Sequence, residues 1–256
     1  MISIADNKAS TIRREVSDVR SSYERVFAFL REQLLSGELV TGDCLLPERE
    51  LSAQLGVSRP MLREALRALS MLGAVEIRHG VGTIVKRPDV STLGDFVTFA
   101  LAQQSDVIDD IMEARVAIEH HAIRLACRRA RQVDFDRLAD AISLIAETID
   151  DPIAGGHADY NFHEAIVRAA QSPVLISLYQ SISGLMMRSH LERREQIMQV
   201  DGINEFLIGH HKSIFTAIVE RDAVKADDLL TRHFEIGADF RRRATIRATT
   251  IDNVQA

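Results

Sequence analysis

Two short β-branched runs, Ala74–Arg78 and Thr83–Lys86, flank His79-Gly80-Val81-Gly82, and no strand signal follows from Ser91 onward. The link reads as the turn of a hairpin. A two-stranded hairpin cannot sustain a core by itself. A chain of 256 residues with this pattern must therefore bury its apolar side chains between helices. The predicted fold class is mainly α. Hydrophobic residues make up 46% and charged residues 27%, which excludes a chain disordered throughout. No apolar run is long enough to span a bilayer, which excludes a transmembrane protein. The N-terminal MISIADNKASTIRREVSDVR lacks an apolar core followed by a small-residue cleavage site, and Cys44 and Cys127 form no CxxC. These features point to a reducing cytoplasm and away from a disulfide scaffold.

The net charge of −6 argues against a nucleic-acid partner, but the average hides an asymmetry. Residues 1–87 carry 13 Lys and Arg against 11 Asp and Glu, and residues 88–256 carry 18 against 26. A mildly basic head on an acidic body implies two tasks in two places. In the head, Val26, Phe27, Leu30, Leu34 and Leu35 share one face of a helix predicted over Tyr23–Ser36. A polar turn, Thr41-Gly42-Asp43, follows. A second helix opens at Pro47 and ends at Gly56, and a third is capped by Ser58 and runs to Leu72, with Pro60 in its first turn. In the body, apolar spacing predicts seven helices over about 91–104, 106–130, 133–150, 157–171, 173–195, 203–221 and 222–243. Pro152, Gly155-Gly156, Pro173 and Gly202 are read as breaks between them. The domain reading is a tail over 1–21, a head over 22–87, a linker over 88–92, a helical body over 93–245 and a tail over 246–256.

The helix pair joined by Gly56-Val57-Ser58 is a helix-turn-helix candidate, with Leu51, Leu55, Val57, Leu62 and Leu66 as its core. Such pairs also occur where only packing is served. Here the third helix would present Ser58, Arg59, Pro60, Met61 and Arg63, and an arginine at that end can bridge guanine O6 and N7 in a major groove. Arg49 on the preceding helix and the Ser58 hydroxyl are placed for phosphate. The hairpin adds a wing, whose His79 and bare Gly80 and Gly82 backbone can approach a minor groove.

Leu46-Pro-Glu-Arg-Glu-Leu-Ser-Ala-Gln-Leu-Gly-Val-Ser-Arg-Pro-Met-Leu-Arg, followed by Gly73-Ala-Val-Glu-Ile-Arg-His-Gly-Val-Gly-Thr, resembles the winged helix-turn-helix of GntR-family bacterial transcription regulators. The resemblance spans about residues 22–87 and implies DNA contact through Arg49, Ser58, Arg59, Arg63, His79 and Gly80. Leu46 stands where that family often has a small polar residue, and Val81 where a third wing glycine is often seen.

In the body, Asp159 and His163 lie one helical turn apart, and His211 and His233 occur on later helices. Three imidazoles and a carboxylate suit a borderline divalent ion: Zn²⁺, Ni²⁺, Mn²⁺ or Fe²⁺. With nine histidines in the chain, an i,i+4 carboxylate–His pair also arises by chance. Arg115 has apolar neighbours at three and four, and a buried arginine needs a carboxylate from the protein or from a ligand. The pattern Arg115-x-x-Ile-Glu, Asp159-Tyr-Asn-Phe-His, His210-His-Lys-Ser-Ile and His233-Phe is similar to the FCD effector domain of FadR-type GntR regulators, over about residues 91–243. That resemblance implies Asp159, His163, His211 and His233 as metal ligands, with zinc the leading metal, and Arg115 beside them as an effector contact. His210 stands where the family commonly has Glu, and the spacing of His211 to Ile214 and Ile218 favours His211 as the ligand. Arg188 is a second candidate effector contact, and His120, His121, His157 and His190 are read as surface or core residues. Arg241-Arg242-Arg243 suits a helix C-terminus.

The resulting expectation is a dimeric regulator, a repressor by the commoner family mode, on a palindromic double-stranded operator. It would be controlled by a small carboxylate and make no use of a membrane. The rival is a metal-dependent hydrolase using the three histidines and Asp159; no base or nucleophile is evident beside them, and that reading leaves Arg59 unexplained.

Overall fold

The computed structural model describes residues 22–101, 103–104, 107–197 and 203–255, so the tail expected over 1–21 lies outside the described residues. The chain divides between Thr92 and Leu93 into two compact units. The first holds α1 (22–36), α2 (Glu48–Leu55), α3 (Arg59–Met71) and a hairpin of β1 (Val75–Arg78) and β2 (Gly82–Val85). Val75 pairs with Val85 and Arg78 with Gly82 in antiparallel register.

The head core is the one the hydrophobic pattern foretold, with an addition. Val26 and Leu30 of α1 meet Leu51, Leu62, Leu66 and Leu69 of the helix pair and Val75 and Val85 of the hairpin. Leu45 joins them because the segment expected as a polar turn runs alongside β2. Gly42 N–H donates to the Val85 carbonyl at 2.9 Å, Val85 N–H to Asp43 at 2.8 Å and Leu45 N–H to Thr83 at 2.8 Å. Backbone polar groups next to a core must be paired, and this third extended segment pairs the outer edge of the wing. Apolar alternation could not reveal it, because three of its residues are polar or glycine.

The body is all helix among the described residues: α4 (Ser91–Leu101), α5 (Val107–Arg129), α6 (Gln132–Glu147), α7 (Pro152–Ala169), α8 (Pro173–Ser181), α9 (Ser183–Ile197), α10 (Ile203–Val219) and α11 (Ala223–Gln255). Helix α7 sits in the middle, against α5, α6 and α9. Two core clusters surround it, one including Ile123, Leu138, Phe162, Ile166 and Ile214, the other Ile111, Tyr179, Leu185 and Met186.

Three helix boundaries differ from expectation. The helix foreseen over 173–195 is two, α8 and α9, parted at Ile182. There α4 comes close: a Cβ on Gly94 would lie 3.3 Å from the Gln180 carbonyl, and one on Gly184 3.1 Å from Thr98. Gly155-Gly156 does not break a helix but lies in the first turns of α7, which Asp151 caps by accepting from Ile153 N–H and Ala154 N–H. These glycines serve packing, since a Cβ on Gly156 would lie 2.8 Å from Leu191 Cδ2 and 3.2 Å from Leu191 Cα. Finally, α11 runs to Gln255, so the stretch expected as a tail from 246 continues the helix, and Arg242 pairs with Asp239 in its interior rather than ending it.

A Gly156→Ala substitution should therefore force α7 from α9. We expect about 1–3 kcal/mol of destabilisation, read by urea unfolding; an unchanged midpoint would show that the approach to Leu191 is loose.

Candidate nucleic-acid interface and metal centre

The geometry of the head follows from its turn. Gly56 adopts φ of +61°, which a residue without a Cβ takes at no steric cost, and ends α2. Ser58 then caps α3 by accepting from Met61 N–H at 3.4 Å. Arg25 of α1 donates to the Gly56 carbonyl at 3.1 Å and ties the turn to the first helix. Sequence reasoning missed this clamp, because its two ends are far apart in the chain. Arg49, Ser58, Arg59, Pro60, Arg63, His79 and Gly80 are all exposed. Arg63 Nε is held by Glu48 of α2 at 2.7 Å, which steers the guanidinium along the face of the pair. At the wing tip, Val81 N–H donates to Arg78 at 3.2 Å across a turn with Gly80 at φ +76°.

In the body, Asp159 and His163 of α7, His211 of α10 and His233 of α11 each offer one ligand atom, and these atoms lie within 4.8 Å of one another. His211 Nε2 stands 2.9 Å from Asp159 Oδ1, and His163 Nε2 3.9 Å from it. Asp159 Oδ1, His163 Nε2, His211 Nε2 and His233 Nδ1 are all buried without a hydrogen-bond partner. Leaving so many polar atoms unpaired is costly unless something occupies the space between them.

The remaining ring atoms are held. His163 Nδ1 donates to Glu119 Oε2 at 2.6 Å, and His211 Nδ1 to the Leu207 carbonyl at 2.6 Å, so each Nε2 carries a lone pair towards the centre. Burial, with the Arg115 guanidinium nearby, holds His163 well below its usual pKa. Burial and the neighbouring His211 and His163 rings do the same to His233. Neutral rings are the ligating form. Burial opposes ionisation of Asp159, but the adjacent His190, which donates to Oδ2, outweighs it and keeps the carboxyl well below its usual range. The donor set fits a divalent ion. His210 lies outside the cluster and packs on Phe206, with ring centroids 4.3 Å apart.

Arg115 is 2% exposed and shares a cleft with Asp159, His190, Arg194 and His233. The carboxylate it was expected to need comes from its own helix: Nε donates to Glu119 Oε1 at 2.9 Å, while Nη2 is buried and unpartnered. Arg188 is elsewhere, mostly exposed and paired with Glu192 at 2.6 Å. It stands six residues before Arg194, about 240° around the helix, so both cannot face the cleft. Sequence reasoning also missed His190, whose Nδ1 donates to Asp159 Oδ2 at 2.6 Å, and Glu119, which accepts from Arg115, His163 and Tyr179. The missed signal was the i,i+4 pair His190 and Arg194, spaced like Asp159 and His163.

A winged helix-turn-helix followed by an all-helical domain is the architecture of a DNA-binding regulator with a second, helical domain. Comparison with known proteins agrees. Residues 22–85 match the gntR family of bacterial regulatory proteins, and residues 110–236 match the FCD domain. The HTH-type transcriptional regulator YcbG of Bacillus subtilis (strain 168), itself uncharacterised, is 32% identical over 92% of this chain and 94% of its own. A putative L-lactate dehydrogenase operon regulatory protein of Escherichia coli (strain K12) is 31% identical over 82% of this chain and 81% of its own. The HTH-type transcriptional repressor NanR of Klebsiella aerogenes is 26% identical over 88% of this chain and 87% of its own. A Streptococcus agalactiae GntR structure shares the fold, with a TM-score of 0.59 at 23% identity over 88% of this chain and 99% of that one. The chain belongs to the GntR family and carries an FCD domain; it is a DNA-binding transcription regulator and not an enzyme. Among the described residues no helix is long and apolar enough to cross a membrane.

The neutral rings set a pH dependence. His163 and His233 lie well below 6.5 when folded, and burial with Arg115 brings His190 down to about 4. Between about pH 6.5 and 4 the unfolded chain thus binds more protons than the folded one, and stability falls as pH falls. The Tm of the chelated protein should drop steadily across that window; a flat Tm would contradict the neutral assignment.

Proposed function

We propose that the chain is a repressor that binds a palindromic operator as a homodimer in the cytoplasm and is controlled by a small carboxylate held beside a divalent metal ion, zinc first among Zn²⁺, Ni²⁺, Mn²⁺ and Fe²⁺. The observation that carries this reading is the convergence of four buried, unpartnered donor atoms, on Asp159, His163, His211 and His233, next to the unpartnered Nη2 of Arg115. Bound there, the ion supplies Lewis-acid positions for a carboxylate oxygen. Arg115 orients the acid through Nη2, and Glu119 fixes both Arg115 and the His163 ring. The pocket is buried enough that a charge-assisted hydrogen bond there is strong.

In the head, Arg59 and Arg63 read base edges, Arg49 and Ser58 fix register on phosphate, Pro60 sets the first turn of α3, and His79 and Gly80 enter the minor groove. Two heads in a dimer would meet half-sites about one helical turn apart. The acid acts by binding one arrangement of the dimer more tightly than the other, since equal affinity shifts nothing. The repressor sign is supported by the name of the relative NanR.

Fluorescence anisotropy on native promoter fragments, with random duplex as control, tests the head. Arg59→Ala should weaken specific binding about 5- to 100-fold and leave metal content unchanged. His163→Ala should empty the metal site while DNA binding without acid persists. Equal affinity for promoter and random duplex at moderate salt would refute the operator reading.

A further inference from the structure

Besides Arg115, the cleft is lined by Arg193 and Arg194, and this reading leaves Arg194 without a task. Arg194 lies on α9 one turn beyond His190 and is only 5% exposed. Its Nη2 donates to the Ile149 carbonyl at 2.6 Å, and its Nε is buried with no partner. Among the described residues no carboxylate pairs with it. Burial pulls its pKa below the usual arginine value, and Asp159 and Asp150 act on it only at longer range. Room for it is built into α7: a Cβ on Gly155 would lie 3.0 Å from Arg194 Nε and 3.2 Å from Nη2. A buried cation without a counter-charge is among the most costly features a fold can carry. It persists where an anion completes it.

The charges of the cleft say which anion. Arg115 is balanced by Glu119 at 2.9 Å. Asp159 adds one negative charge and Arg194 one positive charge, and with a divalent ion on Asp159 and the imidazoles these groups would carry an excess of two positive charges, apart from Arg193, which lines the same cleft and has bonds of its own. One carboxylate cancels no more than half of that excess. The cleft is lined on its apolar side by Ile197, Ile203, Phe206 and Leu207, which favours a small molecule.

Resting on the metal-and-carboxylate reading above, we infer that the site selects a small acid with two anionic groups, one engaged at the metal and Arg115 and the other by Arg194. Arg194 is the specificity-determining residue: it separates diacids from monoacids of the same length.

The test is isothermal titration of the full-length, zinc-loaded protein with malonate, succinate and glutarate, each paired with the monoacid of equal carbon number (propionate, butyrate, valerate). At least one diacid should bind tenfold or more tightly than its monoacid. In Arg194→Gln that ratio should collapse to within about twofold, and Arg194→Lys, which keeps the charge but loses the fork, should retain part of it. Circular dichroism and zinc content check folding, and the wild-type ratio stands even where a variant fails to fold. If monoacids bind the wild type as well as every diacid, or if Arg194→Gln folds and keeps the full ratio, the inference is overturned while the carboxylate reading survives. If no acid of either kind binds the zinc-loaded protein, the carboxylate reading itself falls and takes this one with it.

Discussion

The body is organised around one buried carboxylate. Glu119 is fully enclosed, and its two oxygens accept from Arg115 of α5, His163 of α7 and Tyr179 of α8. Burying a carboxylate is costly unless every lone pair is used and a positive charge stands beside it. Here three hydrogen bonds and the Arg115 charge offset most of that cost, and three helices are thereby held in one relation. The same contacts prepare the cleft. Glu119 occupies Arg115 Nε and leaves Nη2 available, and it accepts the hydrogen bond from His163 Nδ1–H and so leaves Nε2 as the lone pair. A residue that touches no ligand thus decides the protonation state and aim of two that are placed to do so.

The cleft repeats one device. Arg115 and Glu119, Asp159 and His163, and His190 and Arg194 are each four apart on α5, α7 and α9, so each pair shares a helix face. Leu207 and His211 repeat the spacing on α10, with a backbone carbonyl as one partner. Side chains built one turn apart on packed helices have little freedom, which is the preorganisation that ion and anion sites require. The head works by the opposite logic. Its core is small and apolar, and every residue read as a DNA contact is exposed. Phosphate and base edges come from the partner, so the head needs only a stiff frame that holds charged side chains in water.

How much was legible in the sequence depended on the range of the interaction. The helix pair, its Ser58 cap and its wing turn are local, and local propensity and spacing carry them. The Asp159 and His163 pair was visible for the same reason. His211 and His233 were not connectable to it by spacing, because α10 and α11 reach the site through packing on α5, α6 and α9 and on each other, and they were assigned by resemblance. Arg188 and Arg194 show the limit: both are arginines on one helix, and which of them faces inward depends on the phase of α9. The break at Ile182 resets that phase, and it lies where α4 comes close, a contact that no local signal records. The glycines of α7 misled for a related reason. Two consecutive glycines read as a break by propensity, yet tight packing against Leu191 and Arg194 overrides propensity.

By itself, the sequence determined that the chain is helical apart from one hairpin, that a mildly basic head precedes an acidic body, and that Asp159 and His163 share one helix face. Periodicity, capping and turn chemistry act within a few residues, so these properties are written locally. Only the tertiary structure decided that Glu119 stands behind the site, that His190 orients Asp159, and that Arg194 rather than Arg188 is buried in the cleft. Those outcomes depend on helix phase and on which faces meet. Both are set by packing between segments far apart in the chain, where the cost of an unpaired buried charge outweighs any local preference.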